Sequence, residues 1–477
     1  MSIATRLRTL FPSSSRNGNR PPLLEGAQPL VGHILPFQKD PVQLMFDGKR
    51  RYGNVFSIHL VGTTAAVLLG AEGNEAVFRA PDDQLNPKEA YKLMTPIFGK
   101  GIAYDATDDT MREQLSFLHP ALHKKRLEIY AAHMNEEAER YVDSLGDEGV
   151  VDILDMGNEL TMYISSRCLL GMEFRDQLNT QFMRLYQDLE GGLTPLAFFF
   201  PYLPIPRFKR RDAARRKVVE LIEGIVENRR RRGFVGEDML QTLMEARYKK
   251  DGRPLTADEI TGLLLTIVFA GHHTSGVLTA WSGIEMLRHK EYLPAILAEQ
   301  EEVYGDGREV SFSSLRELNV LERGIMEAER MHPPIVLMMR KVLRDFHYAG
   351  YTIPAGDMVM VSPAVSNRDE TIFSNPHVYD PQRFAPGREE NKKHDFSMTS
   401  FGGGKHLCIG LNFAYMQIKA LWSVMFRRFE LELASPQYEP SYDFLVVGPH
   451  HPCLLKYKRR KEALVRVPRP LAESRIH

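Results

Sequence analysis

The stretch "FGGGKHLCIG" (residues 401–410) places one cysteine between a glycine-rich loop and the start of an apolar helix. Glycines let the backbone approach a flat ligand closely and turn its N–H groups toward the sulfur of Cys408. The N-terminus of the following helix adds positive potential, and both effects favour a thiolate over a thiol. A single thiolate without a set of neighbouring ligands suits the axial position of a haem iron better than tetrahedral zinc. On this motif alone, a buried structural cysteine is the alternative.

The composition around this motif is that of an ordinary globular protein. The chain has 477 residues, of which 43% are hydrophobic and 26% charged, and its 61 Lys and Arg balance 61 Asp and Glu. This balance gives no reason to expect a nucleic-acid partner. Residues 1–20 carry basic side chains and no acid, so we expect a disordered basic leader followed by one large domain over residues 21–477.

The cysteines and the apolar runs indicate where the protein works. The three cysteines are far apart and form no CxxC pair, which favours a reducing compartment over a disulfide framework. The longest apolar run, "GLLLTIVFAG" (262–271), is about half of the ~20 residues that span a bilayer. No signal-peptide pattern opens the chain. The sequence therefore predicts a soluble cytoplasmic protein without a transmembrane anchor.

The pattern along the chain predicts a mainly α fold with small β-sheets. Alternation of apolar residues and turn signals mark the strands, and longer periodic segments mark the helices. The predicted elements in chain order are a hairpin at 54–70, mainly helices over 107–335, a β-rich stretch at 346–363, loops over 364–407, a helix at 411–428 and a strand at 429–434.

The stretch "FAGHHTSG" (269–276) lies within an unusually long predicted helix. Thr256 and Glu259 form a capping-box pattern, and apolar residues continue to Leu287, so we expect one buried helix of about 30 residues. Adjacent helical residues diverge by ~100°, so His272 and His273 are not expected to face the same cavity. A zinc pair is disfavoured, because zinc-binding histidines on a helix are spaced i,i+4. A satisfied structural histidine and a functional one remain alternatives for His272.

Two further motifs place charges before the cysteine loop. "EAER" sets Glu327 and Arg330 three residues apart, on one helix face, where they can form an interior ion pair. Taken alone, such a pair is common on solvated helices. "PQRF" (381–384) adds Arg383 between this helix and the cysteine loop.

Together these motifs resemble the signature of the cytochrome P450 superfamily, the haem-thiolate monooxygenases. Three segments, residues 90–105, 269–276 and 401–410, are similar to the sterol 14α-demethylases, especially the soluble bacterial ones. The resemblance implies the P450 fold, with haem b between a long central helix and the helix after the cysteine loop. The residues that carry it are Phe401, Gly404, Cys408, Gly410, Glu327, Arg330, Arg383, Ala270, Gly271, Thr274, Tyr91, Phe98, Gly99 and Asp105.

The resemblance also assigns roles to individual residues. Cys408 is the implied ligand of the haem iron, and the implied partners of the haem propionates are Tyr91, Arg112, Arg340 and His406. Thr274 is expected to bind the oxygen ligand beside the small Ala270 and Gly271. His273 stands where most of the superfamily has an acid, and a neutral imidazole can pass protons near pH 7. Glu190 is our expected partner for His273.

A hydrophobic substrate pocket is predicted next to this groove. Its expected lining residues are Leu93, Met94, Phe98, Tyr104 and Ala270. The segment "PLAFFFPYLPIP" (195–206) is expected to form a lid over the pocket mouth, with simple core packing as the alternative. Leu at position 93 resembles the animal and fungal demethylases, which act on C4-dimethylated sterols, whereas the plant enzymes have Phe.

The implied reaction is removal of a sterol 14α-methyl group by three successive O2-dependent oxidations, with release of formate. External electrons are required, because no flavin or iron–sulfur motif is present; a ferredoxin and its reductase are the expected donors. "HKKR" (123–126), Lys405, Lys419 and "RR" (427–428) are candidates for a basic docking face, or for ordinary solvated charges. Azole-type inhibitors are expected to ligate the haem iron. The alternatives are a related hydroxylase for another steroid or terpenoid, and a haem isomerase or sensor that does not activate O2.

Overall fold

The computed structural model describes residues 19–177, 179–194, 197 and 200–461. Helices dominate this part of the chain, as the sequence predicts. The eighteen α-helices are α1 (Ile34–Lys39), α2 (Pro41–Tyr52), α3 (Gly70–Arg79), α4 (Lys88–Tyr91), α5 (Thr95–Phe98), α6 (Asp108–Ser116), α7 (Lys124–Ser144), α8 (Ile153–Ser165), α9 (Asn179–Glu190), α10 (Pro206–Arg232), α11 (Met239–Glu245), α12 (Ala257–Gly271), α13 (His273–Arg288), α14 (Leu293–Tyr304), α15 (Phe312–Glu317), α16 (Asn319–Met331), α17 (Pro363–Ser366) and α18 (Leu411–Arg428).

Three small sheets accompany the helices. The strands are β1 (Val55–Leu60), β2 (Thr63–Leu68), β3 (Leu85–Asn86), β4 (Glu148–Asp152), β5 (Met338–Val342), β6 (Phe346–Tyr348), β7 (Tyr351–Ile353), β8 (Met358–Val361), β9 (Phe429–Leu433) and β10 (Leu454–Arg459). The largest sheet has the order β1-β2-β8-β5-β3, the second β4-β10-β9, and the third is the hairpin β6-β7. β1 and β2 form the predicted antiparallel hairpin, with Val55 paired to Leu68.

The capping box at the start of the central helix is present. The Thr256 hydroxyl accepts the Glu259 backbone N–H, and the Glu259 carboxylate accepts the Thr256 N–H at 2.8 Å. The predicted long helix spans Ala257–Arg288, but it is interrupted at one residue, since α12 ends at Gly271 and α13 begins at His273. His272 lies between them with a ψ of −75°, well off the helical value, so the chain turns locally within the predicted helix.

Close backbone packing holds α13 against its neighbours. A Cβ on Gly157 of α8 would lie 2.7 Å from the carbonyl oxygen of Gly276 in α13, so only glycine allows this approach. A Cβ on Gly283 would lie 2.0 Å from the ring of Trp422 in α18. The rigid part of the protein is therefore built around α13, with α8 and α18 packed directly on it.

One large hydrophobic cluster runs through most of the described chain. It includes residues as far apart in sequence as Ile97 and Tyr457, together with Trp281 and Trp422. The predicted basic leader, residues 1–20, lies outside the described residues except for Asn19 and Arg20. Within the described chain, residues 257–288 are the one helical stretch long and apolar enough to cross a membrane, and 72% of its most apolar window is buried inside the protein. That burial is typical of a core helix.

Candidate active site

The cysteine loop is held in a fixed, tightly turned shape. The backbone N–H of Cys408 donates to the carbonyl of Phe401 at 2.8 Å. Gly402 and Gly404 have φ angles of +75° and +54°, which side-chain-bearing residues rarely adopt. A Cβ on Gly402 would also lie 2.4 Å from the carbonyl oxygen of His406. The glycines therefore allow the loop to present Cys408 just before α18.

The electrostatics of Cys408 agree with the sequence analysis only in part. The backbone N–H groups of Gly410 and Leu411 do lower the pKa of the thiol, as predicted. Burial among protein atoms outweighs them, so the pKa of Cys408 is raised above its usual value. The Cys408 side chain is nevertheless exposed, so a metal ion can reach the sulfur, and a bound metal ion favours the thiolate.

A group of cationic side chains lies near the cysteine loop. Arg340 on β5 is only 7% exposed, and its one hydrogen bond among the described residues is donated to the carbonyl of Met339 at 2.9 Å. Burial lowers the pKa of Arg340, and nearby Asp82 opposes this. His406 lies 2.9 Å from Asp82, and burial followed by the charge of Arg340 lowers the pKa of His406.

Two predicted tyrosines lie in the same region. The rings of Tyr91 and Tyr104 stack with centroids 3.9 Å apart. Burial first, then Tyr91, raises the pKa of Tyr104; Cys408 raises it further and Arg340 lowers it, so these groups are electrostatic neighbours. Arg112 is not brought to this group: it pairs with Asp109, its side chain is 67% exposed, and its role at a propionate stays a prediction.

These residues fit a haem. Arg340 is a buried guanidinium without a carboxylate partner among the described residues, and a buried cation needs an anion close by. A haem propionate has that charge. The thiol of Cys408 is flanked by the exposed apolar side chains of Leu407 and Ile409, which suit the face of a porphyrin. The site thus offers a sulfur ligand, apolar contacts and a cation in one place.

The predicted pair Glu327–Arg330 is present and fully buried. Arg330 donates from Nε and Nη2 to the Glu327 carboxylate at 2.7 and 2.8 Å, and both side chains are 0% exposed. Arg383 donates from Nε to Glu327 at 2.9 Å and from Nη1 to Glu390 at 2.8 Å. Arg330 also donates to the carbonyls of residues 367 and 376. This network ties α16 to the long irregular segment that leads to the cysteine loop, so it positions the loop and does not itself contact Cys408.

On the other side of the site, the predicted contact between His273 and Glu190 is present. Nε2 of His273 is in contact with Oε1 of Glu190, which brings the C-terminus of α9 to the N-terminus of α13. Both side chains are partly exposed. Tyr186, one turn earlier on α9, is fully buried beside them, and burial and the charge of Glu190 raise its pKa.

The expectation that His272 and His273 face different cavities is wrong. Their ring centroids are 4.5 Å apart, and ligand atoms of both lie within 4.8 Å of Glu190. The 100° divergence holds for a regular helix, whereas here the helix is interrupted at His272. Nε2 of His272 lies 3.0 Å from the carbonyl of Asn158, and burial, then the charge of His273, lowers the pKa of His272.

Thr274 and its neighbours form an open groove on the central helix. The Thr274 hydroxyl donates to the carbonyl of Ala270 at 2.5 Å. Ala270 is exposed, and a Cβ on Gly271 would meet no atom within 4 Å. The helix therefore presents small residues and one hydroxyl to open space, and the oxygen-binding role of Thr274 stays a prediction.

The predicted pocket residues are brought together in part. Phe98 packs edge-on against Phe269 at 6.2 Å, and Leu93 packs with Ala197 and Phe208, against which Met94 also lies. Of the predicted lid, residues 195, 196, 198 and 199 lie outside the described residues. Farther along that segment, Phe200, Tyr202 and Leu203 are exposed.

Several residues of the site carry no motif that sequence reasoning could use. Arg215 on α10 donates to the carbonyls of Ile97 and Phe98 at 3.0 Å and pairs with Asp258, so it fixes the pocket segment to two helices. Asp82 is the partner of both Lys405 and His406. Arg215 and the carbonyls that it binds are more than a hundred positions apart, as are Asp82 and its two partners, and Arg215 and Asp258 are 43 apart; such pairs show no local periodicity.

The predicted basic docking face is smaller than the sequence suggests. Lys419 and Arg427 are buried, and Lys419 pairs with Glu322, so neither can meet a partner protein. Arg428 is engaged by Glu139 and Asp143. Apolar packing of α18 draws these cations inward. The exposed members that remain are residues 123–125 and Lys405.

Comparison with known proteins agrees with this geometry. The sequence model of the family "Cytochrome P450" matches residues 21–456. A sterol 14-demethylase of Arabidopsis thaliana is 41% identical over 96% of this chain and 95% of its own. A sterol 14alpha-demethylase of Mycobacterium tuberculosis is 39% identical over 92% of this chain and 98% of its own.

The fold is likewise that of a solved structure. A retinoic-acid-bound cyanobacterial P450 superposes with a TM-score of 0.83 at 22% identity, covering 93% of this chain and all of that one. At this identity the likeness concerns the fold alone. The family match, the two full-length relatives and the cysteine loop agree, and we conclude that the chain belongs to the cytochrome P450 family.

Proposed function

We propose that this P450 removes the 14α-methyl group of a sterol precursor by three successive O2-dependent oxidations, with release of formate. The observation that carries the proposal is full-length similarity, at 41% and 39% identity, to proteins named sterol 14-demethylases. The contact between His273 and Glu190 supports it, because oxygen activation consumes protons and this pair can deliver them.

A thiolate-ligated haem b supplies oxygen binding and activation when it is bound, with Cys408 as the iron ligand. Arg340, His406 and Tyr91 would hold the propionate side, and Arg112 would join them if its side chain left Asp109. Phe401, Gly404 and Gly410 shape the loop. The network of Glu327, Arg330 and Arg383 keeps that loop in register, and does so through the backbone, as the hydrogen bonds of Arg330 to carbonyls indicate.

Proton movement is the task of the residues on the central helix. His273, whose Nε2 contacts the Glu190 carboxylate, takes a proton from that side and passes it toward the groove. The Thr274 hydroxyl, which donates to the carbonyl of Ala270, would turn to hold an oxygen ligand there. His272 takes no part in this transfer, since its Nε2 proton is committed to the carbonyl of Asn158.

The pocket chemistry suits a large, rigid, nearly all-carbon substrate. Phe98, Phe269 and Leu93 are apolar side chains in the protein interior, and a substrate bound among them would be shielded from water. Leu93 favours a C4-dimethylated sterol, so Leu93→Phe shifts the preference toward a C4-monomethyl sterol.

Electrons come from an external ferredoxin with its reductase in the cytoplasm. Azole-type inhibitors would ligate the iron of the bound haem.

The first experiment is the carbon monoxide difference spectrum of the reduced protein. The long-wavelength Soret band of thiolate ligation should appear in the wild type and vanish in Cys408→Ala. A 14-methyl sterol, O2, ferredoxin, reductase and NADPH should then give the demethylated sterol and one formate per turnover. Hydroxylated product without formate would identify a related steroid or terpenoid hydroxylase instead. A normal spectrum with no NADPH-dependent O2 uptake would identify a haem isomerase or sensor.

A further inference from the structure

Three potential metal ligands meet where the central helix is interrupted. The ligand atoms of Glu190, His272 and His273 all lie within 4.8 Å of one another. Glu190 ends α9, and the two histidines stand on either side of the boundary between α12 and α13. One carboxylate and two imidazoles form a ligand set that suits Zn²⁺.

Nδ1 of His272, the second nitrogen of its ring, is the atom that most strongly indicates a metal ligand. Because Nε2 of His272 faces a carbonyl oxygen, that of Asn158 at 3.0 Å, Nε2 carries the proton and Nδ1 holds a free lone pair. Nδ1 is buried and has no hydrogen-bond partner among the described residues. The His272 side chain as a whole is only 4% exposed. A buried acceptor without a partner is costly, and a cation would satisfy it.

The hydrogen bond that would orient a zinc-binding histidine is already present. Metal-bound histidines usually donate their other N–H to a carbonyl or carboxylate, which fixes the tautomer and the ring orientation. The hydrogen bond from His272 to Asn158 has this form. His273 and Glu190 are partly exposed, so an ion has access from the groove.

We propose that Glu190, His272 and His273 bind one Zn²⁺ ion, with water as the fourth ligand, and that this ion inhibits the enzyme. Zn–N and Zn–O distances of about 2.0–2.2 Å place ligand atoms of a tetrahedral site about 3.3 Å apart. The cluster reaches this spacing when Nε2 of His273 and Oε1 of Glu190 move apart and His272 moves closer to both of them. A bound ion occupies the two groups that carry protons, so turnover stops while the substrate pocket stays open. The inhibitory part rests on the proposed function; zinc binding does not.

The binding experiment uses the haem-loaded full-length protein without a histidine tag. Isothermal titration with ZnCl2 should give one site per chain, and X-ray absorption at the zinc edge should show two imidazoles and one or two oxygens. His272→Gln keeps an amide N–H for the Asn158 carbonyl and removes the Nδ1 lone pair, so it should weaken this site about 100-fold or more. Glu190→Gln is the second variant and removes the carboxylate. The carbon monoxide spectrum verifies the fold of each.

A matched control comes from a second cluster of Asp152, Asp155 and His451, which is mostly exposed and in which His451 pairs with Asp152 and Asp155. His451→Gln should leave the zinc site unchanged. Zinc should also inhibit sterol turnover in the wild type and in His451→Gln at the concentration that fills the site, and leave spectral sterol binding intact. Equal zinc binding by wild type, His272→Gln and Glu190→Gln, or an absence of binding, would overturn the proposal. Zinc binding without inhibition would overturn only its regulatory part.

Discussion

Nε2 of His273 is in direct contact with Oε1 of Glu190, across the boundary between α13 and α9. We expect His273→Ala to lower sterol turnover about 100-fold, toward the lower end of what general acid–base catalysis contributes. Spectral titration with the same sterol should give a nearly unchanged Kd. The measurement is turnover per bound complex over a range of pH, and its pH dependence should weaken in the variant. If sterol binding falls and turnover per complex does not, the histidine only packs the groove.

Arg340 should govern how tightly the protein retains haem. Arg340→Leu keeps the buried side-chain volume near Phe78 and removes the one guanidinium without a carboxylate partner at this site. Transfer of haem to apomyoglobin should then be about 10-fold faster, since a charge-assisted hydrogen bond contributes about 1.5–3 kcal/mol. The rate of haem loss is compared with that of Arg112→Ala, which removes a mostly exposed side chain. A haem-loss rate that rises for neither variant would contradict the propionate assignment of both.

The network around Glu327 should be among the most costly to break. Glu327→Gln leaves Arg330 and Arg383 buried with one charge uncompensated, and such losses cost about 3–5 kcal/mol. The midpoint of thermal unfolding of the haem-loaded protein should therefore fall, and the fraction of protein that is expressed without haem should increase. Glu317→Gln disrupts an exposed pair with Arg308 and serves as the control, with no measurable change in Tm expected. Equal Tm values for both variants would contradict the positioning role.

Gly283 should not tolerate even a methyl group. A Cβ there lies 2.0 Å from the Trp422 ring, which cannot move freely because Nε1 of Trp422 donates to the carbonyl of Thr279 and to Ser282. Gly283→Ala should therefore lower the free energy of unfolding by about 1–3 kcal/mol. Gly224 in α10 is the matched control, since a Cβ there meets nothing within 4 Å. Gly224→Ala should stabilise the protein by about 0.5–1 kcal/mol. Urea unfolding measures the change in the free energy of unfolding of each variant relative to the wild type, and the two changes should have opposite signs.

The buried carboxyl of Glu329 should make stability depend on pH. Burial raises its pKa to about 7, although Tyr415 and Ser400 oppose this by hydrogen bonding. The folded state therefore keeps a proton that the unfolded state has already lost above about pH 4.5. The contribution of Glu329 is fully present below pH 4.5 and is lost as the pH rises through 7, with a total of about 3 kcal/mol.

Glu329→Gln removes this titration and keeps an acceptor for the Tyr415 hydroxyl. Urea midpoints measured between pH 5 and 8 should fall more steeply for the wild type than for the variant. Parallel pH profiles for the two proteins would show that Glu329 remains ionised in its buried position.

Local patterns allowed much of this architecture to be predicted. The capping box at Thr256, the hairpin of β1 and β2, and α18 beginning at Leu411 and ending at Arg428 all agree with the sequence, because each depends on neighbouring residues. The cysteine loop belongs to the same class, since its glycines and Cys408 act within ten positions of each other. The pair Glu327–Arg330 could be predicted from its spacing alone, which is about one turn of a helix.

The errors arise where distant parts of the chain decide the outcome. The break at His272 accompanies contacts with α8, where the carbonyl of Asn158 takes the imidazole N–H, and helical periodicity does not reveal such a partner. Lys419 was expected at the surface, yet α18 is buried nearly all round and Glu322 compensates the charge from another helix. Asp82 and Arg215 could not be predicted either, because their partners are also distant in the sequence.

The interruption at His272 also divides the central helix into two parts with different neighbours. In α13, Gly276 and Gly283 pack closely on α8 and Trp422, whereas in α12 a Cβ on Gly262 would lie 2.1 Å from the carbonyl oxygen of Phe98. Both parts therefore resist substitution at these glycines, while the exposed Ala270 and the open side of Gly271 lie at the end of α12, next to the interruption. A laboratory selection for altered ligand preference should accept changes at this end of α12 more readily than at the glycines of either part.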